Sequence, residues 1–215
     1  VSAIRTFAHL GGQTQRLAVG DLLLDAGAAF RALLSAPVSV VYSDPPWNPG
    51  NEKWWRRHAG AEPPTDYAHL LDAWCACVAA AQPQHVLVEQ SVNLRHKGLL
   101  LEAVGRCHGW GLPLIEEWVV QYGSPLRPNA LLHFGRVPLA TDPSGMRDEA
   151  MTRRVFEGLQ PAPGGTVADP CMGLGTTSRM AHEFGQHCIG TELCGRRLDV
   201  TIRWLLRHGY AEVSR

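Results

Sequence analysis

VSVVYSDPPW, residues 38–47, joins two kinds of chain. Its first half is almost continuously apolar, as in a parallel strand covered on both faces. Its second half, Asp44-Pro45-Pro46-Trp47, is stiff and partly polar, so the strand ends there. Other short runs read as strands on either side: RLAVGD (16–21), HVLVEQ (85–90), IEEWVVQYG (115–123), ALLHFGRV (130–137), TVADP (166–170) and HCIGTEL (187–193). Helical patterns alternate with them. Tyr67, Leu70, Leu71, Trp74 and Val78 form one stripe, Leu198, Ile202, Leu205 and Leu206 another, and 94–107, 147–159 and 176–184 also suit helices. This alternation predicts an α/β fold: a mostly parallel, seven-stranded sheet with helices on both faces. Only SPLRPN separates IEEWVVQYG from ALLHFGRV, too little for a crossover helix, so those two strands are predicted to pair as an antiparallel hairpin.

The chain has 215 residues, 45% of them apolar and 19% charged, which suits one globular domain. Twenty Lys and Arg balance twenty Asp and Glu, so no broad basic field is present. No apolar stretch approaches membrane-spanning length, and VSAIRTFAHLGGQTQR has no signal-peptide core. Six cysteines without a CxxC pair fit a reducing cytosol, so a cytoplasmic protein is expected.

Ligands of open α/β sheets bind beyond the carboxyl ends of strands, where Asp44-Pro45-Pro46-Trp47 falls. A carboxylate there accepts a hydrogen bond from an amino group. Prolines lack an N–H, so they stiffen the loop and leave carbonyl oxygens as acceptors. Trp47 offers a face for stacking a planar base, at about 1–3 kcal/mol per base. The tetrapeptide alone equally suits a rigid turn with Trp47 capping the core.

A second motif, DPCMGLGTT (169–177), follows another short strand and leads into a helix. Gly173 and Gly175 permit a tight turn and close approach of a ligand. Glu192, 19 residues after Gly173 and ending HCIGTE, is placed to hold ribose hydroxyls. Ser178 stands where a dinucleotide fingerprint has its third glycine, and no Gly-Lys-Ser/Thr follows. The loop therefore suits an adenosine-bearing ligand without a pyrophosphate. A plain strand–helix turn is the other reading.

Together the motifs resemble those of S-adenosylmethionine-dependent amino-methyltransferases, which methylate adenine N6 or cytosine N4. Their catalytic tetrapeptide has the form Asp/Asn/Ser-Pro-Pro-aromatic, and their cofactor loop reads like DPCMGLGTT. The order here, catalytic motif first, is similar to that of the permuted β-class DNA methyltransferases, and the similarity runs from roughly residue 16 to 210. It implies one Rossmann-like methyltransferase domain over residues 1–215, with S-adenosylmethionine as cofactor and DNA as substrate. It further implies that Asp169, Pro170, Gly173, Gly175, Thr176 and Thr177 surround the methionine and ribose of the cofactor. Glu192 would bind the ribose hydroxyls, and Asp21 would lie near the adenine amino group. Asp44, Pro45, Pro46 and Trp47 are the implied catalytic residues. Trp47 would stack on a flipped base while Asp44 and the Pro45 carbonyl accept hydrogen bonds from its exocyclic amino group.

Aspartate at the first motif position favours adenine N6; cytosine N4 and RNA adenosine are the alternatives within the same chemistry. Asn48, Lys53, Trp54, Arg56 and Arg57, in NPGNEKWWRR, are expected to contact nucleic acid through phosphates and stacking. A solvated turn with one tryptophan in the core reads that segment equally well. Arg196, Arg197, Arg203 and Arg207 read as a solvated helix face, with a nucleic-acid surface as the alternative.

Fewer than ten residues separate the end of the hairpin, near Pro138, from the helix starting near Arg147. That is too few for the target-recognition region of sequence-specific relatives. Short or relaxed sequence preference is expected, or a partner that supplies recognition; a homodimer is implied by resemblance only. A noncatalytic nucleic-acid-binding partner subunit and a small-molecule amine methyltransferase are the competing readings. Cys171 lies inside the cofactor loop and reads as packing rather than as a nucleophile. His182 and His187 are five apart, off one helical face, so no metal site is expected.

Overall fold

Each apolar run becomes a strand, and two more strands join them. The computed structural model describes residues 3–24, 27–62 and 66–213. Its strands are β1 (Arg5–His9), β2 (Thr14–Val19), β3 (Val40–Ser43), β4 (His85–Ser91), β5 (Leu114–Tyr122), β6 (Arg127–Phe134), β7 (Thr166–Asp169), β8 (His187–Glu192) and β9 (Tyr210–Glu212). Its helices are α1 (Ala28–Leu33), α2 (Pro49–Ala59), α3 (Tyr67–Ala81), α4 (Leu94–Arg106), α5 (Asp148–Leu159), α6 (Thr176–Glu183) and α7 (Gly195–Arg207).

The strands form one nine-stranded sheet in the order β5-β6-β4-β3-β7-β8-β2-β1-β9. The expectation of seven strands is thus corrected. β1 folds back antiparallel on β2, and β9 returns after α7 to pair with β1 through Phe7↔Glu212. Both strands are short and bury few side chains, Phe7 alone in β1 and Tyr210 alone in β9, so neither has a strand-like apolar pattern. The five central strands, β4-β3-β7-β8-β2, are parallel, as expected of the continuously apolar runs. The β5–β6 hairpin is antiparallel, and β6 also pairs antiparallel with β4.

Strand alternation supplies a core on each face. Val41, Val86 and Val88 pack with Phe30, Leu71 and Trp74 of α1 and α3. Val40, Tyr42 and Leu87 pack on the opposite face with Phe156, Met180 and Leu205 of α5, α6 and α7. The open edge of β5 is partly covered: Gly145 N donates to Val119 O at 2.9 Å and Gln121 N to Met146 O at 2.8 Å. The segment linking β6 to α5 is thereby occupied as an edge cover. Among the described residues, no helix is long and apolar enough to cross a membrane.

NPGNEKWWRR is a helix rather than a turn. Asn48 caps α2 by accepting from Asn51 N at 3.0 Å, Pro49 opens it, and Gly60 ends it in the left-handed region at φ 73°. From β3 the chain builds outward to β4 on one side and, later, from β7 to β8 on the other. The crevice beyond the adjacent ends of β3 and β7 is the reversal point of the sheet.

Candidate active site

Asp44 is the first residue beyond the carboxyl end of β3. Trp47 Nε1 donates to Asp44 Oδ1 at 2.6 Å, which closes the loop and fixes the indole. The indole meets Tyr122, at the end of β5, edge to face with centroids 4.2 Å apart. Tyr67 donates to Pro46 O at 2.6 Å, whereas no donor among the described residues reaches Pro45 O. Of the two proline carbonyls, Pro45's is left for a further donor.

The glycine loop is held by carboxylates. Asp169, ending β7, accepts from Cys171 N at 2.9 Å and from the Thr177 hydroxyl at 2.6 Å. Glu192, ending β8, accepts from Gly173 N at 2.7 Å and from Cys194 N at 2.9 Å. Each Glu192 oxygen keeps a lone pair for another donor. Gly173 and Gly175 have φ of 57° and 82°, a region disfavoured for residues with a Cβ. A Cβ on Gly175 would lie 2.3 Å from Thr201 Oγ1, and one on Gly173 2.8 Å from an Arg197 nitrogen. It is α7, not only a ligand, that comes close to these glycines.

Both loops open on one cavity of about 320 Å³, with seven carboxyl groups on its wall: Asp21, Asp44, Glu52, Glu89, Asp148, Asp169 and Glu192. Asp44 reaches solvent by way of the cavity yet is otherwise walled in by protein. Burial lifts its carboxyl to about 6, while the Trp47 hydrogen bond and the Arg197 charge pull it down. Burial also lifts Asp169 to about 7 and Glu52 to about 7, and raises Glu192. Glu89 rises well above the usual carboxylate range, first through burial and then through the neighbouring Asp44. The cavity wall is therefore short of cations. Arg56 and Arg197 are the two that line it, and Arg56 is already paired with Asp21 at 2.9 and 2.8 Å.

Arg56 corrects an expectation. It is 7% exposed and binds Asp21 and the Glu62 carbonyl, so it lies on the inward, cavity side of α2 and not on the exposed face expected for phosphate contacts. Its position four residues after Glu52 turns it inward with that buried carboxyl. Asn48 is engaged in capping. Lys53, Trp54 and Arg57 lie on the exposed face of α2. Arg197 is also misread as a solvated residue: its guanidinium stacks 3.8 Å over Trp55 and it lines the cavity.

Asp21, Pro170, Thr176 and Thr177 all line the same cavity, with the two loops. Burial and the nearby carboxylates push the Cys171 thiol up, so it is not a thiolate. His182 Nδ1 meets the Tyr210 hydroxyl at 3.2 Å, while His187 Nδ1 accepts from Thr14 N at 2.9 Å, so the two rings diverge. Sequence reasoning passed over Glu89, Tyr122, Glu52 and Asp148 at the cavity. Glu89 carried a signal, an acidic residue near the carboxyl end of an apolar parallel strand. Asp148 carried none: it starts α5 at φ 49°, which only the folded backbone reveals.

No protein-family model matches the chain, and no curated protein is similar to it in sequence. Solved structures are. TTHA0409 of Thermus thermophilus, described as a candidate DNA modification methylase, superposes at TM-score 0.61 with 17% identity over 90% of this chain and 95% of its own. M1.HpyAVI does so at TM-score 0.58 with 14% identity, over 89% and 99%. The fold is that of the DNA methyltransferases. The cytosine-N4-specific PvuII DNA methyltransferase shares this fold at TM-score 0.59 with 12% identity, over 91% of this chain and 93% of its own. In this methyltransferase fold the carboxyl ends of the paired strands β3 and β7 lie side by side, and the loops that follow them line the cavity just described.

Proposed function

We propose that this chain transfers a methyl group from S-adenosylmethionine to the exocyclic amino group of a base in DNA, adenine N6 in the first place. The observation that carries the reading is that Asp44-Pro45-Pro46-Trp47 and the 169–177 glycine loop open on one carboxyl-rich cavity. A ligand with a sulfonium and an ammonium group suits that wall, and ribose hydroxyls suit Glu192. TTHA0409 has been solved with S-adenosyl-L-methionine and M1.HpyAVI with SAM, which supports the same cofactor here. S-adenosylmethionine, when bound, supplies an electrophilic methyl group.

The chain's own residues then prepare the nucleophile. An aromatic amino group is a poor nucleophile because its lone pair is delocalised into the ring. Asp44 and the Pro45 carbonyl, accepting its two hydrogens, favour a localised lone pair and disperse the positive charge growing on nitrogen. Trp47, fixed by Asp44 and Tyr122, stacks on the base and holds it in line for direct transfer. Lys53, Trp54 and Arg57 meet the surrounding DNA, and the short β6–α5 link leads to relaxed sequence preference. Cytosine N4 is the second reading, since the PvuII enzyme of the same fold is cytosine-N4-specific.

Calorimetry with S-adenosylmethionine should show binding that Glu192→Ala weakens about tenfold or more. Labelled methyl transfer should then favour DNA over RNA and over small amines. Cofactor binding with no transfer to any polymer would point instead to a noncatalytic subunit or a small-molecule enzyme.

A further inference from the structure

Glu89 stands on the cavity wall with Asp44, and the proposed chemistry uses only Asp44. Their surroundings differ. Asp44 accepts from an indole N–H and feels the positive charge of Arg197. Glu89 accepts from the Tyr42 hydroxyl at 2.9 Å through Oε1 alone, and Tyr42 in turn accepts from the Thr152 hydroxyl at 3.3 Å. No donor or cation among the described residues reaches Glu89 Oε2. The carboxyls of Asp44, Asp148 and Asp169 all act on it. Two adjacent carboxyls in such a cavity cannot both carry full charge, so one keeps a proton. Asp44, with the better donors, takes the negative charge. Glu89 remains an acid whose carbonyl oxygen is held by Tyr42 and whose O–H is free to donate.

Resting on the methyltransferase reading, we propose that Glu89 is a specificity-determining residue, donating a hydrogen bond to the ring nitrogen beside the target amino group. That nitrogen is N1 in adenine and N3 in cytosine. The pair then presents one acceptor and one donor to a base edge that presents one donor and one acceptor. Guanine and thymine reverse this pattern, placing a carbonyl oxygen against Asp44 and a ring N–H against the Glu89 hydrogen. Keto bases are thus rejected without any further contact. A donor at the ring nitrogen draws the amino lone pair toward the ring. Glu89 therefore acts on base choice and binding, not on the transfer step.

The test uses chemically synthesised mixed-sequence oligonucleotides carrying either adenine or 1-deazaadenine, in which a C–H replaces N1. If cytosine is the base methylated, 3-deazacytosine serves the same purpose. The wild-type protein is expected to prefer the natural base by about 10- to 100-fold in kcat/KM, because the deaza base leaves the acid's O–H unpaired. Glu89→Ala should cut that preference by about tenfold relative to the wild type. Glu89→Gln, whose amide still donates, should keep most of it. Effects of the deaza base on pairing and amino reactivity cancel, because the same oligonucleotides meet every variant. Equal preference in the wild type and Glu89→Ala would overturn the assignment, as would loss of preference in Glu89→Gln with its fold intact by circular dichroism. A wild-type protein that methylates neither oligonucleotide would overturn the reading of DNA as the methyl acceptor, and the role of Glu89 with it.

Discussion

Trp47 holds Asp44: the indole N–H of one lies 2.6 Å from a carboxylate oxygen of the other. The residue assigned to stacking therefore also tunes the residue assigned to accepting the amino hydrogen. Asp44 must be ionised to accept, so activity should fall as pH drops through about 6. Trp47→Phe keeps an aromatic face but removes a bond that lowers this value. Its acidic midpoint should move upward, with a loss several-fold larger near pH 6 than near pH 8. A pH profile of kcat/KM checks this, and an unmoved midpoint would separate the two residues' roles.

Asp169 gives a stability prediction with a definite sign. Burial raises its carboxyl from 3.8 to about 7 in the folded protein. Between those values the folded state holds a proton that the unfolded state has lost, so this group's contribution falls as pH rises through that window. The loss is on the order of a few kcal/mol. Asp169→Asn preserves an acceptor for Cys171 N and can donate to the Thr177 oxygen, but it does not titrate. Urea unfolding near pH 4.5 and near pH 7.5 should show a smaller drop for Asp169→Asn than for the wild type.

Gly175 tests the packing of the glycine loop on α7. With φ 82° and only 2.3 Å between a Cβ at that position and Thr201 Oγ1, Gly175→Ala should cost about 2 kcal/mol or more. Thr201→Ala removes the two nearest atoms, leaving its Cβ at 3.0 Å, and does not touch the backbone preference, so the double variant should recover only part of the loss. Full recovery would mean that the left-handed backbone carries no cost there. Chemical denaturation of the two singles and the double measures this coupling.

Arg56 and its neighbours on α2 should separate cleanly. Arg56→Ala leaves the buried Asp21 carboxylate unpaired beside Glu52, and should destabilise the fold by about 3–5 kcal/mol. Lys53→Ala with Arg57→Ala removes exposed charges and should leave the melting temperature nearly unchanged. The same double variant should weaken DNA binding and lower the salt slope by about 2. Thermal melts and salt-dependent binding distinguish the two classes.

These contrasts also mark what the sequence could and could not disclose. VSVVYS and HVLVEQ are apolar enough to be central parallel strands, and six residues between two strands leave only a hairpin. Both loops were legible because they sit at strand ends, where an α/β sheet places its ligands. β1 and β9 were not, since each buries one side chain, and β9 owes its pairing to the distant β1. α2 was readable from Asn48-Pro49 and Gly60, yet its charged composition hid it. Arg56 and Arg197 show a harder limit. An arginine's sequence neighbourhood does not say whether Asp21 or Trp55 lies within reach, because those contacts are made across 35 residues and across 142.

The most direct test is methyl transfer from labelled S-adenosylmethionine to mixed-sequence duplex DNA, digested to nucleosides and identified by mass spectrometry, with Asp44→Ala in parallel. The expected product is N6-methyladenine, falling at least about 100-fold in the variant. N4-methylcytosine would keep the site and change the base. An absence of methylated nucleosides, or a yield that Asp44→Ala leaves untouched, would contradict the assignment of the 44–47 loop as the place of methyl transfer.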